Sequence, residues 1–198
     1  MGWLYTYKPE NQSVMQFFKE HFDHETALKK GEVLDCAVVN MRTAYIAYRV
    51  THKDTGRTFV LGVICLINYS RDRYNFGYKD MEEFCGPCEA QCPERILKQL
   101  SPLDQIEPHY GTSYEWACAW RERCRENIKN RKRLTELNIG NVIKFREPIK
   151  FSNGIERDTL RLAAKGRGKG SLIFEDLDGY GRFRVSRNFM ANRNFMVR

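Results

Sequence analysis

The sequence predicts an α+β protein: an antiparallel sheet with helices, followed by a small C-terminal SH3-like β-barrel. Three observations predict it. Val-, Ile- and Tyr-rich runs separated by turn residues occupy positions 33–67. Apolar residues recur at helical spacing near residues 11–22 and 113–130. After Leu134 the chain breaks into short alternating runs punctuated by Asn-Gly, Asp-Gly and a Gly-rich stretch.

Taken in order, Val14, Phe17, Phe18 and Phe22 fall on one face of a short helix that Asn11 or Ser13 is placed to cap. Residues 33–41 and 44–51 read as strands, and Lys53-Asp54-Thr55-Gly56-Arg57 supplies the turn before a third strand at 59–67. That third run, Phe59 through Ile67, is apolar on both faces, as a strand covered on both sides requires. Residues 74–78 are a candidate fourth strand.

Pro93 suits the first turn of a helix running to Leu100, which Ser101-Pro102 stops. A longer helix is expected over 113–130. On its wheel Trp116, Ala117, Trp120, Cys124 and Ile128 share one arc, and Arg121, Arg125, Lys129 and Lys132 form the adjacent one. Arg131 falls on the apolar arc, which places the end of the packed part there. The alternating runs that follow suit a small, strongly bent sheet or barrel, and no cysteine lies among them. The expected division is a domain of residues 1–138 and a barrel of residues 139–198.

The chain has 198 residues, 42% of them hydrophobic and 13% aromatic, enough apolar mass for a core and too much for global disorder. Thirty-three Lys and Arg against 25 Asp and Glu give a formal charge of +8, which favours a polyanionic partner. Residues 121–133 hold seven cations against two acids, and residues 150–198 hold eleven against five. No run reaches the ~18 apolar residues of a membrane span, and the start Met1-Gly2-Trp3-Leu4 lacks the features of a secretory signal, so the expectation is a cytoplasmic protein without membrane association. Seven cysteines, an odd number without an export signal, argue against a disulfide framework.

Two basic features are candidates for nucleic-acid contact. The stripe Arg121, Arg125, Lys129 and Lys132 has the spacing to track phosphates along a helix, against which stands the plainer reading of a solvated face. Lys165, Arg167 and Lys169 alternate with glycines at a probable hairpin tip, where exposed backbone N–H groups and cations mould to a phosphate backbone. Phe174, Tyr180, Phe183, Phe189 and Phe195 interleave with Arg182, Arg184, Arg187 and Arg193, which fits a barrel core better than a stacking platform.

Cys85, Cys88 and Cys92 in Cys-Gly-Pro-Cys-Glu-Ala-Gln-Cys-Pro have the spacing of a metal knuckle, with His109, Cys118 or Cys124 as the fourth ligand of a zinc site. The alternative is three small, half-buried residues. Asp80 with Glu82 or Glu83 is a candidate acid/base or divalent-metal pair for a small hydrolase or nuclease, set against a capped turn. His21 and His24 share helical spacing without a third ligand, and no hydrolase or NTPase signature is present. No small-molecule cofactor is implied, and no catalytic residue is assigned.

The stretch Phe76-Gly77-Tyr78-Lys79-Asp80-Met81-Glu82, followed by Gly86-Pro87 and Cys92-Pro93, resembles the signature of an uncharacterised protein family of phages and plasmids. The first four residues and the segment from Gly140 to Ile149 are similar as well, so the resemblance touches most of the chain. It implies a mobile-element context and brings no activity and no functional residue. The family pattern admits other residues at Cys85 and Cys88, which argues against a family-wide metal role. The expectation is an accessory protein that binds nucleic acid or a host nucleoprotein complex, with anti-CRISPR-like counter-defence as its purpose. DNA mimicry is disfavoured by the positive charge. The other readings are the metal-dependent hydrolase and a pure protein-interaction module.

Overall fold

The computed structural model describes residues 4–7, 11–21, 29–39, 43–70, 73–78, 81–83, 88–106, 114–166 and 170–198. It is a mixed α+β structure of antiparallel sheets with few helices. Two compact units divide the chain, Met1–Cys124 and Arg125–Arg198. Composition places the change at residue 138; contacts place it inside a helix, because Leu134 and Leu137 belong to the C-terminal core.

In the N-terminal unit, helix α1 (Val14–His21) starts where Ser13 Oγ accepts from the Gln16 amide at 3.1 Å. Its Phe17 and Phe18 are fully buried. Strands β2 (Lys29–Val39), β3 (Thr43–His52) and β4 (Thr58–Leu66) form the expected meander. The β3–β4 turn closes with the His52 amide donating to Arg57 O at 2.9 Å, and Gly56 takes the φ of 63° that a side chain disfavours.

The period of two splits β3 between two apolar layers. Ala44, Ile46, Tyr48 and Val50 face a cluster with Phe17 and Phe18, while Tyr45 and Ala47 face another with Cys92, Ile96, Trp120 and Cys124. Each large side chain so buried is worth ~1.5–3 kcal/mol against exposure. Gly62 of β4 makes room for this second layer, since a Cβ there would lie 3.4 Å from the Trp120 ring and 3.3 Å from Leu100.

The strand at 74–78 exists but joins a different sheet. Strand β1 (Leu4–Tyr7), β5 (Asn68–Ser70) and β6 (Arg73–Tyr78) form a three-stranded sheet in the order β1-β6-β5. The fourth strand of the meander is instead the two-residue β7 (Met81–Glu82), beside β4. Pro93 precedes helix α2 (Glu94–Leu97), followed by a 3-10 turn, Leu103–Gln105. Helix α3 (Tyr114–Glu136) is longer than its apolar periodicity suggests.

The C-terminal unit holds a five-stranded antiparallel sheet. Its strands are β8 (Val142–Lys150), β9 (Glu156–Lys165), β10 (Ser171–Glu175), β11 (Arg182–Ser186) and β12 (Phe195–Val197). They run in the order β11-β10-β9-β8-β12, with helix α4 (Arg187–Ala191) between β11 and β12. No closed barrel is present among the described residues; the end strands of the row pair on one side only. Ser186 caps α4 by accepting from the Phe189 amide at 3.1 Å. Arg157 clamps the β10–β11 turn, its guanidinium bidentate on nearly buried Asp176 at 2.6 and 3.1 Å. The core is Leu134, Leu137, Ile143, Phe145, Leu160, Leu162, Phe174, Phe183, Val185 and Phe195 with neighbours of like kind.

Candidate nucleic-acid interface

The wheel of α3 is turned from its expected setting. Trp116 is 48% exposed, whereas Arg121 is only 5% exposed and lies on the packing face. The cause is a carboxylate 38 residues earlier. Glu83 is fully buried, and Arg121 donates to it twice, Nε to Oε2 at 2.6 Å and Nη2 to Oε1 at 2.7 Å. Arg121 Nη1 also reaches Ser101 O at 2.6 Å, and Glu83 Oε1 accepts from the Gly62 amide at 2.9 Å. A charge-paired residue in this position holds β4, the Ser101 turn and α3 together and is not available to phosphates. Arg121 is therefore removed from the candidate stripe, and Glu83 from the candidate acid/base pair.

Arg125, Lys129 and Lys132 remain exposed and share one face by their spacing. The opposite face of the same helical segment is held by amides. Asn127 and Asn130 are buried; Asn127 Nδ2 donates to Asn192 Oδ1 at 2.6 Å, and Asn130 Nδ2 to Ala191 O and Arg193 O at 3.2 and 3.0 Å. Arg131 Nε donates to Asn127 Oδ1 at 2.8 Å, so it joins this packed face rather than ending it. The helix thus presents cations outward because its inward side carries the polar latch on the segment after α4.

Lys165 is exposed at the end of β9, and the Gly166 amide donates to Ser171 O at 3.1 Å as β10 begins. Arg167 and Lys169 lie outside the described residues. Arg182 and Arg184 are exposed on β11, alternating with buried Phe183 and Val185. Of the aromatic set, Phe174, Phe183 and Phe195 are core, while Tyr180 is 93% and Phe189 37% exposed.

Cys92 is a core residue, its thiol pushed strongly up by burial, and Cys88 is half-buried against the same layer. Cys85, Asp80, His24 and His109 lie outside the described residues, as do the side chains of Glu82 and His21; Cys124 is buried in the core and Cys118 half-buried. Among the described residues no three His, Cys, Asp or Glu side chains come together.

No motif in the sequence points to a cleft in the C-terminal unit of about 450 Å³, lined by Arg146, Glu147, Phe189, Asn192, Arg193 and Asn194. The Arg193 guanidinium lies 4.7 Å from the centre of the Phe189 ring and 3.8 Å from Glu147. The Arg146 amide donates to Asn194 O at 3.0 Å, tying β8 to the segment after α4.

Charge follows the division of the chain. The C-terminal unit carries eighteen Lys and Arg against eight Asp and Glu, a net of +10, and the N-terminal unit fifteen against seventeen, a net of −2. Fold and surface therefore define an α+β protein whose basicity resides in one five-stranded unit. A family model described as "Domain of unknown function (DUF6927)" matches residues 111–188, from the start of α3 into α4. No curated protein and no solved structure matches the chain. Among the described residues no helix is long and apolar enough to cross a membrane.

Proposed function

We propose that the chain binds nucleic acid, alone or within a host nucleoprotein complex, through its C-terminal unit. The observation that carries this is the segregation of charge, +10 on Arg125–Arg198 against −2 on the rest. Arg125, Lys129, Lys132 and Lys165, exposed on α3 and β9, supply the phosphate contacts, with Arg167 and Lys169, which follow Lys165 in the sequence, adding to them. In this reading the C-terminal unit is an SH3-like barrel. The strand order β11-β10-β9-β8-β12, a one-turn helix before the last strand, and the register shift in β8 between Lys144 and Ile149 support it. The resemblance to a phage and plasmid family supports reading the protein as an accessory factor of a mobile element acting in the bacterial cytoplasm, with counter-defence as its purpose.

The test is fluorescence anisotropy with single-stranded and duplex DNA and RNA from ~50 to ~200 mM salt. Wild type binds at ~50 mM and weakens steeply with salt. Replacing Arg125, Lys129 and Lys132 together by Gln lowers the salt slope by about one per lost phosphate contact. Failure of the wild-type chain to bind any of these at ~50 mM salt overturns the proposal.

A further inference from the structure

We propose that the cleft between β8 and the segment after α4 is a pocket for one unpaired nucleobase of a single strand. The inference rests on the nucleic-acid reading above and specifies what that unit recognises.

The cleft's volume of about 450 Å³ lies within the range of small-molecule sites, roughly 300–1,000 Å³. Its lining selects the ligand chemistry. Phe189 is the one aromatic ring among the described lining residues, and the Arg193 guanidinium lies over one of its faces at 4.7 Å, so a planar ligand has the outer side of the guanidinium or the ring's other face to stack on. The remaining lining is polar, so an apolar ligand would leave amides and charges without partners. Glu147, with a side chain 82% exposed, opposes a bare anion such as free phosphate and accepts from N–H donors instead. Arg146 is exposed beside it on the same strand and supplies the cation for the phosphate that accompanies a base. A stacking plane, a carboxylate acceptor and a cation together fit a nucleotide of an unstacked strand better than a sugar, a lipid or a lone anion.

The platform is built rather than incidental. Asn192 is fixed on both sides of its amide, Oδ1 accepting from Asn127 at 2.6 Å and Nδ2 donating to Asn188 O at 3.0 Å. Asn130 holds the carbonyls of Ala191 and Arg193. The segment that carries Arg193 is thereby clamped to α3, so stacking would order few new side chains, which favours affinity. Glu147 also sets a preference: cytosine carries an exocyclic amino donor that thymine lacks.

The experiment compares twelve-nucleotide dC and dT strands and a duplex at ~50 mM salt. Wild type prefers dC over dT. Phe189→Ala lowers dC affinity about five- to 150-fold, the worth of one stacked base, and leaves duplex binding unchanged, while Phe189→Trp retains the dC affinity. Glu147→Ala abolishes the preference of dC over dT without changing the salt slope. Unchanged dC affinity in Phe189→Ala, or equal losses on strand and duplex, overturns the pocket and leaves the cationic surface standing. Absence of all binding by the wild-type chain overturns both.

Discussion

Arg121→Met tests the internal architecture of the N-terminal unit. The substitution keeps most of the side chain's volume but removes three charge-assisted donors, two to Glu83 and one to Ser101 O, and leaves a fully buried carboxylate with the Gly62 amide. Breaking one side of a buried pair costs ~3–5 kcal/mol, a large share of the ~5–15 kcal/mol that holds a domain folded. At an m-value of ~2 kcal/mol/M the urea midpoint falls by about 2 M. The assay is intrinsic fluorescence, because Trp3, Trp116 and Trp120 all belong to residues 1–124 and report that unit alone. The double variant Glu83→Leu with Arg121→Met removes both charges, and most of the lost stability returns. Arg123→Met, on the exposed face of the same helix and within residues 1–124, stays within ~0.5 kcal/mol of wild type. A midpoint for Arg121→Met no lower than that of Arg123→Met would refute the reasoning.

Three further outcomes follow from the packing. Asn130→Ala strands the carbonyls of Ala191 and Arg193 and costs ~1–3 kcal/mol, a drop of several degrees in the melting temperature of the C-terminal unit by circular dichroism; an unchanged melt would show that the latch carries no stability. Gly31→Ala sets a Cβ 1.6 Å from Tyr48 Oη, so this variant loses ~1–3 kcal/mol in urea, and combining it with Tyr48→Val restores part of that loss. Burial, aided by Asp35, pushes the Cys36 thiol up to about 11, so the folded state holds this proton longer than the unfolded chain. Its contribution is therefore complete below about 9 and is lost as pH rises towards about 11, and Cys36→Ala flattens the fall of stability measured across that interval.

What was legible in the sequence was what periodicity encodes. Helix α1, the meander β2–β4 and the strands of the C-terminal sheet stand where alternation and turn residues put them. Arg121 was misread because a wheel assigns a cation to water by type, while its position is decided by Glu83, whose proximity no spacing rule reveals. Asn127 and Asn130 were invisible as core residues for the same reason: their partners lie more than 60 residues away at Asn192 and Ala191. The strand at 74–78 was found but not its partner, β1, which comes from the first residues of the chain. Helix α4 hid in an Arg- and Asn-rich stretch between two β runs. The cleft assembles Arg146 and Glu147 with residues more than 40 positions later, so it has no local motif at all. The separation of charge, by contrast, needed only counting once the division of the chain was in hand.

The pairing of β12 with β8 bears on how the chain is made. Val197 lies opposite Ile143, and the Arg198 amide donates to Val142 O at 2.8 Å, so the first strand of the C-terminal sheet waits for the last. Strands β8 to β11 can zip hairpin by hairpin as they emerge from a ribosome, but β8 keeps one open edge until residues 195–197 are free of the exit tunnel. An open edge on a nascent chain is a template for pairing with a neighbouring polypeptide. The net +10 of this unit makes two such open edges repel each other and so opposes that pairing.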